Sequence, residues 1–156
     1  MNLDIVHVPL LTLPADAVVN RTDGDLRSTA GVSGEIFDAA GKLQLQHALC
    51  GIGSCAVGGA VLTDGYRLRS RYIIHTVPPR WCGGKHGEAK LLADCYRNCL
   101  DIVNRFGIVS VAFPLLSDER CGYPLKEGIR VAIATISAHP AAERAQIWLT
   151  LPAVEI

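Results

Sequence analysis

Apolar and polar positions along the chain follow two repeats, one of two residues and one of about 3.6, separated by glycine, proline and polar residues. Alternating, β-branched stretches predict strands, and these cover residues 3–8, 17–20, 60–63, 72–77, 109–113 and 146–151. Apolar residues at the helical repeat predict helices at residues 34–40, 42–49, 88–106 and 126–138. This order of elements predicts an α/β protein with a mixed sheet and helices on both faces.

Two loops follow central apolar strands and lead into helices, and we call them the first loop (residues 20–34) and the second loop (residues 114–124). Ligands of such sheets bind beyond the carboxyl ends of the strands. The first loop carries small residues just before a helix, where backbone N–H groups and the helix dipole favour a phosphate-sized anion. An ordinary strand–loop–helix connection is the alternative interpretation of this spacing.

The composition indicates a globular chain, with 49% apolar and 19% charged residues, and its 156 residues fit one domain spanning 1–156. Lysine plus arginine equal aspartate plus glutamate at 15 each, so no general nucleic-acid binding is expected. No apolar run approaches the length of a bilayer, and the first residues lack the basic flank of a secretion signal. We therefore expect no membrane association and a reducing, cytoplasmic location.

The six cysteines are scattered and form no CxxC pair, so neither a disulfide framework nor a metal site is expected. Cys82 and His86 with a further cysteine could bind zinc, but structural zinc sites usually show two clear ligand pairs. Cys95 and Cys99 lie four residues apart on one predicted helix face, which favours a packing role. No cofactor is expected.

Five segments, in order along the chain, carry a resemblance to a known family: DAVVN (16–20), GVSGEIFDAAG (31–41), GGAVLTDGYRLRSRYIIHTV (58–77), HGEAKLLADCYRNCL (86–100) and VAFPLLSDERCGYP (111–124). They resemble the macrodomain family, whose modules bind ADP-ribose and in some branches hydrolyse its esters. The resemblance implies a three-layer α/β/α sandwich with a central mixed sheet, and ADP-ribose or a related nucleotide as the ligand.

The resemblance also implies which residues bind the ligand: Leu10, Asn20, Asp23, Ala30, Gly31, Val32, Ser117, Glu119, Arg120, Cys121, Gly122 and Tyr123. Several of these positions depart from the family pattern. Pro9 stands where the family carries an acidic residue that accepts from the adenine amino group, and proline offers no such acceptor. Asp23 replaces an asparagine that touches the distal ribose, and its charge would repel the diphosphate.

The two loops themselves are altered. Residues 28–30 (STA) replace a glycine run, and Glu119 replaces a glycine whose N–H approaches the phosphates. Arg120 could offset the added negative charge, since guanidinium binds phosphate bidentately. Ser33 and Phe37 occupy the positions of an acidic residue and a histidine in hydrolytic members. Neither side chain is a general base near neutral pH, so the usual ADP-ribosyl hydrolase catalysis is not expected.

Three functions follow from this comparison. The first is a weakened module for ADP-ribose or a related nucleotide, and the second is a degenerate macrodomain that serves another ligand or a protein contact. The third is a hydrolase with a rebuilt site, with Asp23 or Asp118 as the base and Cys121 as the nucleophile. Cys121 is otherwise a small replacement for an aromatic residue of the family. His75 is interpreted as a satisfied core histidine, and Trp81 either stacks on a ligand or caps the sheet.

Overall fold

The computed structural model of the chain describes residues 2–27, 31–117 and 122–151. Its strands and helices, in chain order, are β1 (Leu3–Val6), β2 (Ala17–Arg21), α1 (Val32–Ala40), α2 (Lys42–Ile52), β3 (Ala60–Asp64), β4 (Tyr72–Thr76), α3 (Glu88–Arg105), β5 (Ser110–Pro114), α4 (Leu125–Ala138) and β6 (Gln146–Thr150). The strands form one sheet of order β1-β6-β5-β2-β4-β3. Only β3 runs antiparallel to its neighbour within this sheet.

Side-chain alternation along the strands supplies a core on each face of the sheet. Ala17 and Val19 of β2 pack with α3 and α4, whereas Val18 between them packs with α1 and α2. The predicted mixed sheet and α/β/α layering are therefore confirmed. Within the described residues, no helix is both long enough and apolar enough to cross a membrane.

Some bounds differ from the predicted ones by a few residues, and Gly51, predicted to end the second helix, lies inside it. Helix α2 continues to Ile52 and ends at Gly53, where φ is +94°. Strand β1 ends at Val6, before Val8, because no neighbouring strand pairs beyond that residue. The turn between β3 and β4 spans seven residues, with the Gly65 N–H bonded to the carbonyl of Arg71.

Candidate functional site

The first and second loops leave the sheet at the same edge and side by side. Strands β2 and β5 are parallel neighbours, with Ala17 opposite Val111 and Val18 opposite Ala112. Both loops therefore begin at the carboxyl ends of adjacent parallel strands, where α/β domains bind ligands.

The first loop starts with a tight turn built around Asp23. One of its carboxylate oxygens, Oδ1, accepts from the N–H groups of Asp25 (3.0 Å) and Arg27 (3.2 Å). The hydroxyl of Thr22 donates to the Arg27 carbonyl at 2.6 Å, which closes the turn from its other side. Asp23 thus holds the turn as an acceptor through Oδ1, and the residue is half-buried.

Helix α1 begins where the first loop ends. Gly31 caps the helix with φ at +75°, a conformation that side chains rarely adopt. As a glycine it offers no side-chain cap, and the helix N-terminus carries a partial positive charge that favours an anion. Val32 follows as the first helical residue, and Ala30 lies outside the described residues.

Asn20 takes part in a buried network across three strands. Its Nδ2 donates to Nδ1 of His75 at 2.9 Å, and His75 Nε2 lies 2.9 Å from the hydroxyl of Thr63. Asn20 and His75 are both fully buried, which confirms His75 as a core histidine. Burial lowers the pKa of His75 to about 3, so the ring is neutral and donates through Nε2. The buried Oδ1 of Asn20 has no hydrogen-bond partner within the described residues.

The second loop begins with buried residues after β5, and its last residues lead into α4. Ser117 and Tyr123 are 5% and 2% exposed, and within the described chain neither the Ser117 hydroxyl nor the Tyr123 hydroxyl has a partner. Gly122 takes φ at +84° beside Trp81. The remaining residues assigned to this loop, Glu119, Arg120 and Cys121, lie outside the described residues, as does Asp118.

A third segment, residues 81–87, packs against the second loop through aromatic rings. The rings of Trp81 and Tyr123 lie 4.9 Å apart at 58°, a tilted geometry that aromatic pairs favour. The indole also rests on Gly84, where an added Cβ would come within 2.6 Å of it. Trp81 therefore packs on Tyr123 of the second loop. Stacking of Trp81 on a ligand stays a prediction.

Glu88, the first residue of α3, organises this segment. Its carboxylate is 2% exposed and accepts from the N–H groups of Cys82, Gly84 and His86 at 2.8, 2.8 and 2.6 Å. These bonds, that of Cys82 foremost, lower the pKa of Glu88 to about 2 although burial opposes them. Because the folded-state pKa is depressed, this stabilisation is present above pH 4.5 and is lost as pH falls toward 2.

Replacing Glu88 with Gln should loosen residues 81–87. The amide keeps one acceptor oxygen, but its NH₂ group faces N–H donors that need an acceptor. We expect faster hydrogen exchange at the amides of Cys82, Gly84 and His86 and a lower Tm. Amide hydrogen exchange and thermal unfolding measure these two effects. Glu35→Gln, on the exposed face of α1, is the matched control and should behave as wild type. Unchanged exchange at all three amides would contradict this role of Glu88.

The remaining predicted positions lie in the core beside the first loop. Leu10 is 4% exposed and begins a short 3₁₀ helix just after Pro9. Ser33 and Phe37, at the positions of the family's catalytic pair, are 4% and 0% exposed. Phe37 packs with Leu10 in the core between the sheet and α1, so neither Ser33 nor Phe37 brings a titrating group to the first loop.

Sequence reasoning missed two side chains that hold segments of the site. Arg21 bonds the Leu115 carbonyl, 94 positions away, and Glu88 bonds the nearby amides of residues 82, 84 and 86. At the other end of α4, the fold also places His139 Nε2 2.7 Å from Asp101 Oδ1.

Two features of the sequence could have indicated Arg21 and Glu88. Arg21 is a charged residue at the end of an apolar strand, and Glu88 is an acidic residue that opens a helix after a glycine-rich segment. Within the described ranges, no cluster of His, Cys, Asp and Glu is arranged to hold a metal ion.

Two loops meeting at the carboxyl ends of parallel strands define a ligand-binding α/β domain, and comparison with known proteins places it in a family. The sequence model of the Macro domain matches residues 19–132. A macro domain-containing protein of Chlorobaculum tepidum is 41% identical over 139 residues, which are 89% of this chain and 80% of that protein. An O-acetyl-ADP-ribose deacetylase of Citrobacter rodentium is 38% identical over 138 residues, which are 86% of this chain and 78% of that protein.

The fold gives the same result. The solved structure of the Oceanobacillus iheyensis macrodomain with ADP matches with a TM-score of 0.88 and 32% identity, and the match covers 97% of this chain and 83% of that one. This chain belongs to the macrodomain family.

Proposed function

We propose that this macrodomain binds ADP-ribose or a related nucleotide in the cleft between the first and second loops. The proposal rests on the first loop and the second loop lying side by side at the same edge of the sheet. The first loop, which ends at the N-terminus of α1, leaves the sheet beside the second loop, because β2 and β5 are parallel neighbours. The partial positive charge of a helix N-terminus favours the negative charge of a diphosphate.

Buried polar atoms without partners support a ligand at this edge. The described chain leaves Asn20 Oδ1, Ser117 Oγ and Tyr123 OH unpartnered, and two of them belong to the second loop. Buried polar atoms are normally hydrogen-bonded, so each needs a water or ligand atom to complete it. The Oceanobacillus iheyensis relative, solved with ADP, supports a nucleotide as that ligand.

The proposed activity is binding without the usual ADP-ribosyl hydrolase catalysis. Ser33 and Phe37 supply no titrating base, and both are buried. Asp23, the base of the alternative rebuilt site, uses Oδ1 to hold the turn of the first loop. We expect the affinity to be weakened because Pro9 offers no acceptor to the adenine amino group.

Calorimetric titration with ADP-ribose tests the proposal, using Gly31→Val and Gly53→Val as a matched pair. Both glycines sit at helix ends with positive φ, so valine strains both backbones. Only Gly31 lies at the cleft. Gly31→Val should weaken binding at least about tenfold, a change of about 1.4 kcal/mol, while Gly53→Val keeps the wild-type Kd.

Two other outcomes would change the assignment. No heat from the wild-type protein at about 1 mM ligand would favour a degenerate macrodomain that serves another ligand or a protein contact. Release of free ADP-ribose from a mono-ADP-ribosylated protein would indicate a hydrolase with a rebuilt site. A Cys121→Ala variant would then test the proposed nucleophile.

A further inference from the structure

The last residue of β2 spans from the sheet to the second loop. Arg21 follows Asn20, so alternation places its side chain on the α3 and α4 face of the sheet, opposite to Asn20. Its Nη1 donates to the Leu115 carbonyl at 2.7 Å and lies 3.5 Å from the carbonyl of Ser117. A charged donor on a neutral carbonyl forms a stronger bond than a neutral pair.

Tyr96 of α3 holds the same segment from the helix layer. Its hydroxyl accepts from the Leu116 N–H at 3.0 Å, and both residues are fully buried. The Leu116 N–H would be buried without a partner if this hydroxyl were removed. The backbones of three consecutive residues, 115–117, are thus held by two side chains from elsewhere in the fold. We call Arg21 and Tyr96 the loop clamp.

The loop clamp acts where the second loop leaves β5, six residues before Tyr123 re-enters the core. Fixing the start of a loop narrows the conformations that its remaining residues can adopt. A loop that is ordered before the ligand arrives loses less entropy on binding. The clamp therefore contributes to affinity even where its side chains do not touch the ligand.

We infer that Arg21 is a positioning residue for the nucleotide, because it holds the backbone of residues 115–117, where the second loop begins, in place for the ligand. This inference rests on the proposed binding of ADP-ribose. Arg21 acts through the backbone of residues 115–117, and both of its contacts come from Nη1, at the far end of a side chain that is longer than that of lysine.

The test measures ADP-ribose affinity by calorimetry and loop order by amide hydrogen exchange in the same set of proteins. Arg21→Met removes the donors at similar length, and Tyr96→Phe removes the acceptor of the Leu116 N–H. Arg130→Met removes an exposed cation that pairs with Glu127 on α4, and it controls for net charge. Arg21→Lys keeps the charge on a shorter side chain with a more strongly hydrated head group.

Arg21→Met should raise the Kd for ADP-ribose about tenfold, the size expected for one charge-assisted hydrogen bond, and should speed exchange at Leu116 and Ser117. Tyr96→Phe should speed exchange at Leu116, and Arg21→Lys should fall between wild type and Arg21→Met in Kd. Arg130→Met should match wild type in both measurements. If Arg21 only stabilised the fold, Arg21→Met would lower Tm and leave the Kd for ADP-ribose unchanged.

The inference is overturned if Arg21→Met binds within about twofold of wild type, or if Arg130→Met weakens binding equally, because charge alone would then explain the effect. The proposed function fails separately, if the wild-type protein gives no heat with ADP-ribose. Hydrogen exchange would still decide whether Arg21 orders residues 115–117, and unchanged exchange in Arg21→Met would reject the clamp.

Discussion

Replacing Gly128 with alanine should destabilise the protein and displace the second loop, although alanine is the better helix former. Gly128 lies in the first turn of α4 and packs directly on Ser117. An added Cβ would overlap the Ser117 hydroxyl and lie 2.6 Å from the Ser117 Cβ. Overpacking of this kind costs about 3 kcal/mol, which outweighs the about 1 kcal/mol that alanine gains over glycine in a helix.

We expect the free energy of unfolding to fall by about 2 kcal/mol in Gly128→Ala, measured by urea denaturation. Gly51→Ala is the matched control, since Gly51 is also helical and its Cβ position has open space. That variant should gain up to about 1 kcal/mol. Equal stability changes in the two variants would show that Ser117 moves aside without cost.

A double variant connects the packing to the site. Ser117→Gly removes the two atoms that the alanine Cβ would overlap, so Ser117→Gly with Gly128→Ala should recover most of the stability lost in Gly128→Ala alone. If the proposed cleft binds ADP-ribose, Gly128→Ala should also weaken that binding, because Ser117 is displaced from the loop that Arg21 holds. Additive losses in the double variant would contradict the overlap.

Sequence patterns predicted the layers of this fold because apolar periodicity reports directly which face of a strand or helix is buried. Val18 and its neighbours Ala17 and Val19 pack on opposite faces of the sheet, as alternation requires. The α3 residues Cys95 and Cys99 are both fully buried, as their spacing predicts. Local patterns of this kind need no knowledge of distant residues.

Contacts between residues far apart in the sequence could not be predicted in the same way. The bond from Arg21 to Leu115 joins residues 94 positions apart, and that from His139 to Asp101 joins residues 38 apart. Such pairs depend on which strands become neighbours. Within the site, the positions of Gly31, Val32, Gly122 and Tyr123 follow from the resemblance, whereas their contribution to ligand binding stays a prediction.

Gly128 illustrates a signal that the sequence did contain. A glycine inside an apolar helical pattern indicates close approach by another group. The approaching group is Ser117, a residue assigned to the ligand loop. A helical glycine beside a predicted ligand loop is therefore a position that sequence analysis can select for testing.

Mild acid should destabilise the protein through His75, which is the second large effect expected. The ring is fully buried between Asn20 and Thr63, and burial lowers its pKa from 6.5 to about 3. Between these two pH values the unfolded chain binds one more proton at this histidine than the folded chain does. The free energy of unfolding therefore falls as pH falls, by about 1.4 kcal/mol per pH unit for one such group.

From pH 6.5 to pH 4.5, His75 should remove about 2–3 kcal/mol of stability, before Glu88 begins to protonate in the unfolded chain near pH 4.5. Urea denaturation at a series of pH values measures this slope. His75→Gln removes the titrating ring and keeps an acceptor and a donor, so its slope over this interval should be shallower by about one proton. His47→Gln, at an exposed position, is the control for replacing a histidine outside the core.

Direct titration separates this cause from other acid effects. The ring proton resonances of His75 should stay at their neutral positions in the folded protein as pH is lowered from 7 to about 4.5. If the His75 resonances moved with a midpoint near pH 6, the ring would be charged in the folded state. The acid sensitivity would then have another origin, and the neutral network from Asn20 to Thr63 would be wrong. A stationary resonance together with the shallower slope of His75→Gln would assign the acid sensitivity to the burial of this one ring.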